Sequence, residues 1–403
     1  QAPGWPFLPS SPSTYTSTAV TVSVGPAVRL VYTTEPANPG AGQAFGQQPA
    51  VRVTDLGGNT VPSFNGELAV SLNNQFGRVC CASSSSCPFC SSTTIGPSTL
   101  TVSSGVASSS GLGVNTAGTA YRLVLQSTTG LTVLSTPFNV AVGQAYRLNI
   151  GRQPGPSTSG AIPFGAGFGT GVQPWVSTVD RGGNVVITLA AQVTATLQAE
   201  GKPATLSGVT TVSTSAGVAL FFDLEVDREG SCYTFLFTSV PALISATSDA
   251  FSIVIGPSSR ITIIRQPSGF RPGHPFDVQP VVAVQDKGFN TVPDAIDIVS
   301  AVVSSTDPSL SGVVLCSLTS LYCNTEVSAV KGIAEFSGLR MDVAGRNYKL
   351  TFERKSGGFE VAESDLFDVE AGPGMQLRVR RQPVVSSAAR GQPGLPLATQ
   401  TLV

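Results

Sequence analysis

One block of sequence recurs about every 115 residues, and its copies end at Pro36, Pro154, Pro267 and Pro383. In every copy an aliphatic residue stands six positions before the proline: Leu30, Leu148, Ile261 and Leu377. A chain with this periodicity buries its apolar surface unit by unit instead of in one large core. The expected molecule is therefore modular and extended, and the unit is the object to explain.

A second block follows each opening strand. Pro49, Pro174 and Pro280 each precede an aspartate by six residues, at Asp55, Asp180 and Asp286. An asparagine comes four residues later, at Asn59, Asn184 and Asn290. Val51 and Val53 alternate with Arg52 and Thr54, and Val282 and Val284 keep the same phase. Period two with one apolar face predicts a half-buried strand. The tail from Asp to Asn predicts a tight turn, because both side chains can bond local backbone and glycine supplies positive φ. Calcium between units is the rival reading of the three aspartates, but no cluster of further acidic ligands accompanies them.

A third block closes the unit. Gly105-Val-Ala, Gly217-Val-Ala and Gly332-Ile-Ala each open a strand. Tyr121, Tyr233 and Tyr348 then stand three residues after Gly118, Gly230 and Gly345, entering strands that alternate. This placement resembles a tyrosine corner, with the ring inward and the hydroxyl on backbone. The last strands begin at Phe138, Phe251 and Phe367 and end at Gly143, Gly256 and Gly372. No stretch carries helical periodicity. The fold class expected is all-β: tandem immunoglobulin-like Greek-key β-sandwiches in a rod-like array.

The expected boundaries are 27–143, 144–256 and 257–373 for three complete units. Residues 1–26 match the tail of a preceding unit, because Val20-Thr-Val-Ser-Val-Gly25 repeats the closing strand. Residues 374–403 match the start of a further, truncated unit. The chain thus reads as a window on a longer array. Junctions of two to four residues, rich in Gly and Pro, limit swing between units.

Only 12% of residues are charged and the net charge is −1. Neither nucleic acid nor anionic lipid is an expected partner. No apolar run is long enough to span a bilayer.

Of seven cysteines, Cys80, Cys81, Cys87 and Cys90 cluster in a Ser-rich loop, and Cys316 and Cys323 lie seven apart. Disulfides within each group predict an oxidising compartment. Cys80 and Cys81 would each join Cys87 or Cys90. Zinc at Cys87-Pro-Phe-Cys90 is the rival, weakened by the absence of a nearby histidine. Cys232 reads as a buried free thiol, or as one half of an intermolecular bridge. The one histidine, His274, sits in a Gly/Pro-rich loop and reads as solvated. No nucleophile-base set, metal-ligand pair or cofactor motif can be built, so no catalytic, metal or cofactor residue is assigned. The pairs Asp223/Glu225 and Asp227/Glu229 read as alternation on an exposed strand. Arg378, Arg380 and Arg381 form a basic strip whose simplest reading is a solvated strand face. No Asn-x-Ser/Thr sequon occurs, and the Ser/Thr/Pro run from Pro9 to Thr18 suits O-linked glycans.

These blocks together resemble the tandem immunoglobulin-like repeats of large surface proteins, such as bacterial adhesins of the invasin type. The Cys- and Ser-rich loop and the Pro/Ser-rich start also resemble subunits of algal flagellar hairs, or mastigonemes. The resemblance implies a non-enzymatic extracellular or cell-surface glycoprotein: part of a fibre, stalk or filament whose partners are other copies or other fibre subunits. The alternative is an adhesin or receptor ectodomain binding carbohydrate or protein, with the cysteine-stapled first unit as its head.

Overall fold

The computed structural model describes residues 17–372, apart from 38, 74–78, 81–93, 156, 162–171, 200, 202, 306–312, 314 and 317–323. Among the described residues there is no helix, and every regular element is a strand.

Three hydrophobic cores follow one another along the chain. One gathers residues between Leu30 and Val140, the next between Leu148 and Ile253, and the third between Ile261 and Val369. Each is closed by the same two sheets. In repeat one, Arg29–Thr34 pairs antiparallel with Ala50–Thr54, which pairs with Val106–Ser108. The facing sheet centres on Gly66–Asn73, flanked by Thr99–Val102 and Gly118–Ser127. Repeats two and three reproduce this order. Arg147–Arg152, Trp175–Val179 and Val218–Leu220 make the three-stranded sheet of repeat two. Arg260–Arg265, Val281–Gln285 and Ile333–Glu335 make that of repeat three. The architecture is a series of immunoglobulin-like β-sandwiches, in which pairing between strands distant in sequence places the inward side chains of both sheets in one core.

The expectation of a half-buried second strand fits repeat one only. Val51 and Val53 are fully buried while Arg52 is exposed. In Val281–Gln285 all five residues are buried, as are four of the five in Trp175–Val179. The counterparts of Arg52 there are the small Ser177, flanked by Asn149 and Val218, and Ala283, flanked by Thr262 and Ile333. The long Arg52 must reach water.

Gly105, Gly217 and Gly332 open their strands for a conformational reason. Their φ values are +77°, +76° and +75°, and a Cβ at each would stand 2.4–2.6 Å from the carbonyl oxygen of Val61, Val186 or Val292. Positive φ and backbone contact each demand glycine.

The tyrosines sit where a corner residue sits. All three are buried. Tyr233 Oη donates to the Arg228 carbonyl at 3.2 Å, and Tyr348 Oη to the Val343 carbonyl at 3.3 Å. The spacing of glycine to tyrosine has a steric cause, since a Cβ on Gly118 or Gly230 would meet the tyrosine Oη at 2.7 or 2.6 Å. Between glycine and tyrosine the ladder slips in all three repeats. The slip passes through a residue at positive φ: Ala120, Cys232 or Asn347.

That bulge corrects the reading of Cys232 as buried. With Tyr233 filling the core, the residue before it points away, and Cys232 is an exposed free thiol. Cys316 is disulfide-bonded. Cys80 lies in the short strand Val79–Cys80 beside Gly66–Asn73. Cys81, Cys87, Cys90 and Cys323 lie outside the described residues, as do the basic strip at 378–381 and the Ser/Thr/Pro run.

Candidate functional site at the repeat junctions

The Asp-to-Asn turns are where the structure concentrates its polar order. Within each turn, the asparagine backbone N–H donates to the aspartate Oδ1 at 2.8–2.9 Å. The asparagine Nδ2 donates to both carboxylate oxygens. The aspartate N–H returns to the asparagine carbonyl at 2.9–3.0 Å. This is the tight turn that the spacing predicts, and all three carboxylates are buried.

Two of the three turns do more: they hold the preceding repeat. At the junction of repeats one and two, Asn184 Nδ2 donates to the Asn115 carbonyl at 2.8 Å. Its Oδ1 accepts from the Ala117 N–H at 3.0 Å. Asp180 Oδ2 accepts from the Gly143 N–H at 2.8 Å. The junction of repeats two and three is built the same way. Asn290 Nδ2 donates to the Asp227 carbonyl at 2.9 Å, and its Oδ1 accepts from the Glu229 N–H at 2.9 Å. Asp286 Oδ2 accepts from the Gly256 N–H at 2.8 Å. The groups gripped are equivalent: the loop just before each corner tyrosine, and the glycine ending each closing strand. One amide side chain reads a carbonyl and an amide two residues apart, so it fixes orientation as well as distance.

Close approach makes the central glycine of the turn indispensable at these junctions. A Cβ on Gly182 would lie 2.0 Å from the Asn115 carbonyl oxygen, and one on Gly288 would lie 2.1 Å from that of Asp227. Neither glycine has positive φ, so the demand is steric: the carbonyl oxygen of the neighbouring repeat is the nearest atom, with the turn's own asparagine Nδ2 next to it at 2.9–3.0 Å.

The second junction carries an addition. Phe289 occupies a position where repeats one and two have Gly58 and Gly183, and it keeps their positive φ at 65°. A bulky residue there is strained. Its ring lies 4.0 Å under the Arg260 guanidinium of its own repeat and 5.9 Å from that of Arg228 in the preceding one. Arg228 Nη1 also donates to the Phe289 carbonyl at 2.8 Å. Cation–π contact of this kind offsets the backbone cost. At the first junction Arg181 covers Tyr146 at 4.1 Å.

In repeat one, Asp55 Oδ2 accepts from the Gly25 N–H at 2.9 Å. The Asn59 amide and the Gly25 N–H hold the Asp55 carboxyl below the usual carboxylate range, because both stabilise its charged form. Carboxylate oxygens filled by N–H donors suit a clamp better than a cation site. Among the described residues no group of three or more His, Cys, Asp or Glu is arranged to hold a metal.

The remaining candidates lie apart from the junction or serve the fold. His274 is exposed. Asp223 Oδ1 accepts from the Val209 N–H, and Asp227 Oδ1 from the Thr205 N–H, so these acids tie loops. The sequence reading missed the inter-repeat role of the turns. Its signal was the glycine two places after the aspartate in all three copies, Gly57, Gly182 and Gly288, which positive φ does not explain.

No family profile matches the chain, and no curated protein matches it in sequence. Among solved structures, it is similar to the chicken CNTN1 FN1–FN3 domains at 8% identity, with 86% of this chain and 98% of that one covered and a TM-score of 0.26. Invasin, a bacterial integrin-binding protein, matches at 14% identity over 84% of this chain and 60% of its own, with a TM-score of 0.23. β-Glucuronidase 3 of Bacteroides uniformis matches at 12% identity over 56% of this chain, with a TM-score of 0.20, and the match spans 24% of the enzyme. Likenesses this distant assign no role to any residue here, and none of the three bears on the flagellar-hair resemblance. No helix among the described residues is long and apolar enough to cross a membrane.

Proposed function

We propose that this chain is a non-enzymatic structural section of an extracellular or cell-surface protein, in which sandwich repeats are locked in series to transmit force and hold distance. The observation that carries this reading is the same three-bond clamp at two successive junctions. A flexible string of domains would leave these turns solvated. Here the carboxylates are buried, and each asparagine side chain, besides its bonds within the turn, both donates to and accepts from the preceding repeat. Restricting the seam lowers the number of orientations that neighbouring repeats sample, so reach grows with repeat number. The Cys316 disulfide fits an oxidising compartment. Other copies or other fibre subunits are the partners this reading favours, with O-linked glycans on the 9–18 run.

Electron microscopy of the purified protein tests it. Particles with a narrow distribution of angles between neighbouring repeats are expected. Repeats joined at random angles would refute the reading.

A further inference from the structure

Repeat one carries the same clamp face as repeats two and three, with nothing of the described chain seated on its asparagine. We propose that the 55–59 turn is a docking socket for the pre-tyrosine loop of another repeat of this kind, the one that residues 20–25 close. The proposal rests on the reading of the junctions as clamps and extends it to a surface that has no described partner.

Four observations point to that occupant. The first is Gly57. It lacks positive φ, and a Cβ there would meet only its own turn, at 3.0 Å from Asn59 Nδ2 and 3.4 Å from Asp55 Oδ1. At Gly182 and Gly288 the same Cβ would strike the carbonyl of the preceding repeat. Glycine at 57 thus has no conformational reason; its own turn crowds a Cβ less severely than a backbone carbonyl would, and a docked carbonyl would add the contact that Gly182 and Gly288 meet. The second is exposure. Asn59 is exposed and Leu56 is 84% exposed, whereas Asn290 is 6% exposed. Asn59 keeps its bonds to Asp55, and among the described residues no repeat meets its Oδ1.

The third observation is that one of the three clamp bonds is already made, from Gly25 to Asp55, as Gly143 and Gly256 make it. The fourth is the segment before it. Val20, Val22 and Val24 alternate with Thr21 and Ser23, and all three valines are exposed. Their counterparts Phe251 and Ile253 are buried in a sandwich. An apolar strand face without a sheet calls for the sheet of its own repeat. A second copy of the chain fits less well, because Gly25 already fills the Asp55 oxygen that the copy's own closing glycine would need.

The experiment replaces residues 1–25 with a copy of residues 144–256, so that the copied Gly256 takes the place of Gly25. Amide hydrogen exchange is read at the copied Glu229, with the copied Phe235 amide as the folding control. The copied Glu229 amide should be protected, and Gly57→Ala or Asn59→Ala should speed its exchange by about tenfold or more. Rapid exchange there, with the Glu229 amide of the original second junction still protected, overturns the proposal and leaves the clamp reading standing. Rapid exchange at both sites sinks the clamp reading itself. If the copy of repeat two does not fold, a copy of residues 257–372 serves, with Ala344 as the reporter. Concentration-dependent association of the unaltered chain in sedimentation, abolished by Asn59→Ala, would also overturn the proposal by showing a second copy in the socket.

Discussion

Gly288→Ala separates the junction from the fold. The added methyl would stand 2.1 Å from the Asp227 carbonyl oxygen. Carbon and oxygen approach no closer than about 3.3 Å even in a weak C–H···O contact, so the two backbones must part by more than about 1 Å. At 2.8–2.9 Å the bonds across this seam have no such reserve. Three are lost: Asn290 to the Asp227 carbonyl, the Glu229 amide to Asn290, and Arg228 to the Phe289 carbonyl. At about 0.5–1.5 kcal/mol each, the junction loses about 2–4 kcal/mol. The covalent linker keeps the repeats adjacent, so the loss appears as opening of the seam and not as dissociation. The opening equilibrium should rise by about 30- to 1000-fold. Amide exchange reads it directly. The Glu229 amide should exchange faster by that factor. The Phe235 and Leu350 amides, bonded to Ser248 and Ser364 inside repeats two and three, should not change. Unchanged protection at Glu229 would refute the seam. Faster exchange at Leu350 would show that the glycine serves the fold of repeat three.

Three further outcomes follow from the same geometry. The Asp55 carboxyl is held low by Asn59 and Gly25, so its contribution to stability is complete above the unfolded value of about 4 and is lost as pH falls through the lower folded value. A carboxyl titration by NMR with a midpoint at or above the ordinary one would contradict this, and Asp55→Asn should remove this part of the acid sensitivity. Tyr348→Phe removes the bond to Val343 and should cost repeat three about 0.5–1.5 kcal/mol. Tyr348→Ala should cost about 3–5 kcal/mol, with the calorimetric transitions of the other two repeats unmoved. Non-reducing peptide mapping should join Cys316 to Cys323, and reduction should destabilise repeat three alone by about 2–3 kcal/mol.

Much of the fold was legible in the residues. Strand alternation at Val51 and Val53, the proline-to-aspartate spacing and the glycine-to-tyrosine spacing each follow from local geometry, and local geometry is what sequence encodes most directly. Tyr121, Tyr233 and Tyr348 could be placed in corners because each enters an alternating strand at a fixed distance from a glycine, and at Gly118 and Gly230 the structure shows why: a Cβ there would meet the hydroxyl. Burial was less legible. Whether Ala283 and Ser177 face water depends on strands far away in the chain, and Cys232 points outward only because the ladder slips beside it.

Periodicity by itself determined that this chain would fold as a series of β-sandwiches, because a repeated pattern of inward aliphatic residues can close only repeated cores. The link between those cores was decided in three dimensions. Asp180, Asn184, Asp286 and Asn290 look like turn residues in one dimension, and within their own repeats they are. Folding brings the loop before the corner tyrosine of the preceding repeat, some 70 residues upstream of Asn184 in the case of Asn115, to within 2.8 Å of the asparagine amide. Side-chain donors and acceptors find such partners only after both sandwiches have formed, so the clamp belongs to the tertiary structure.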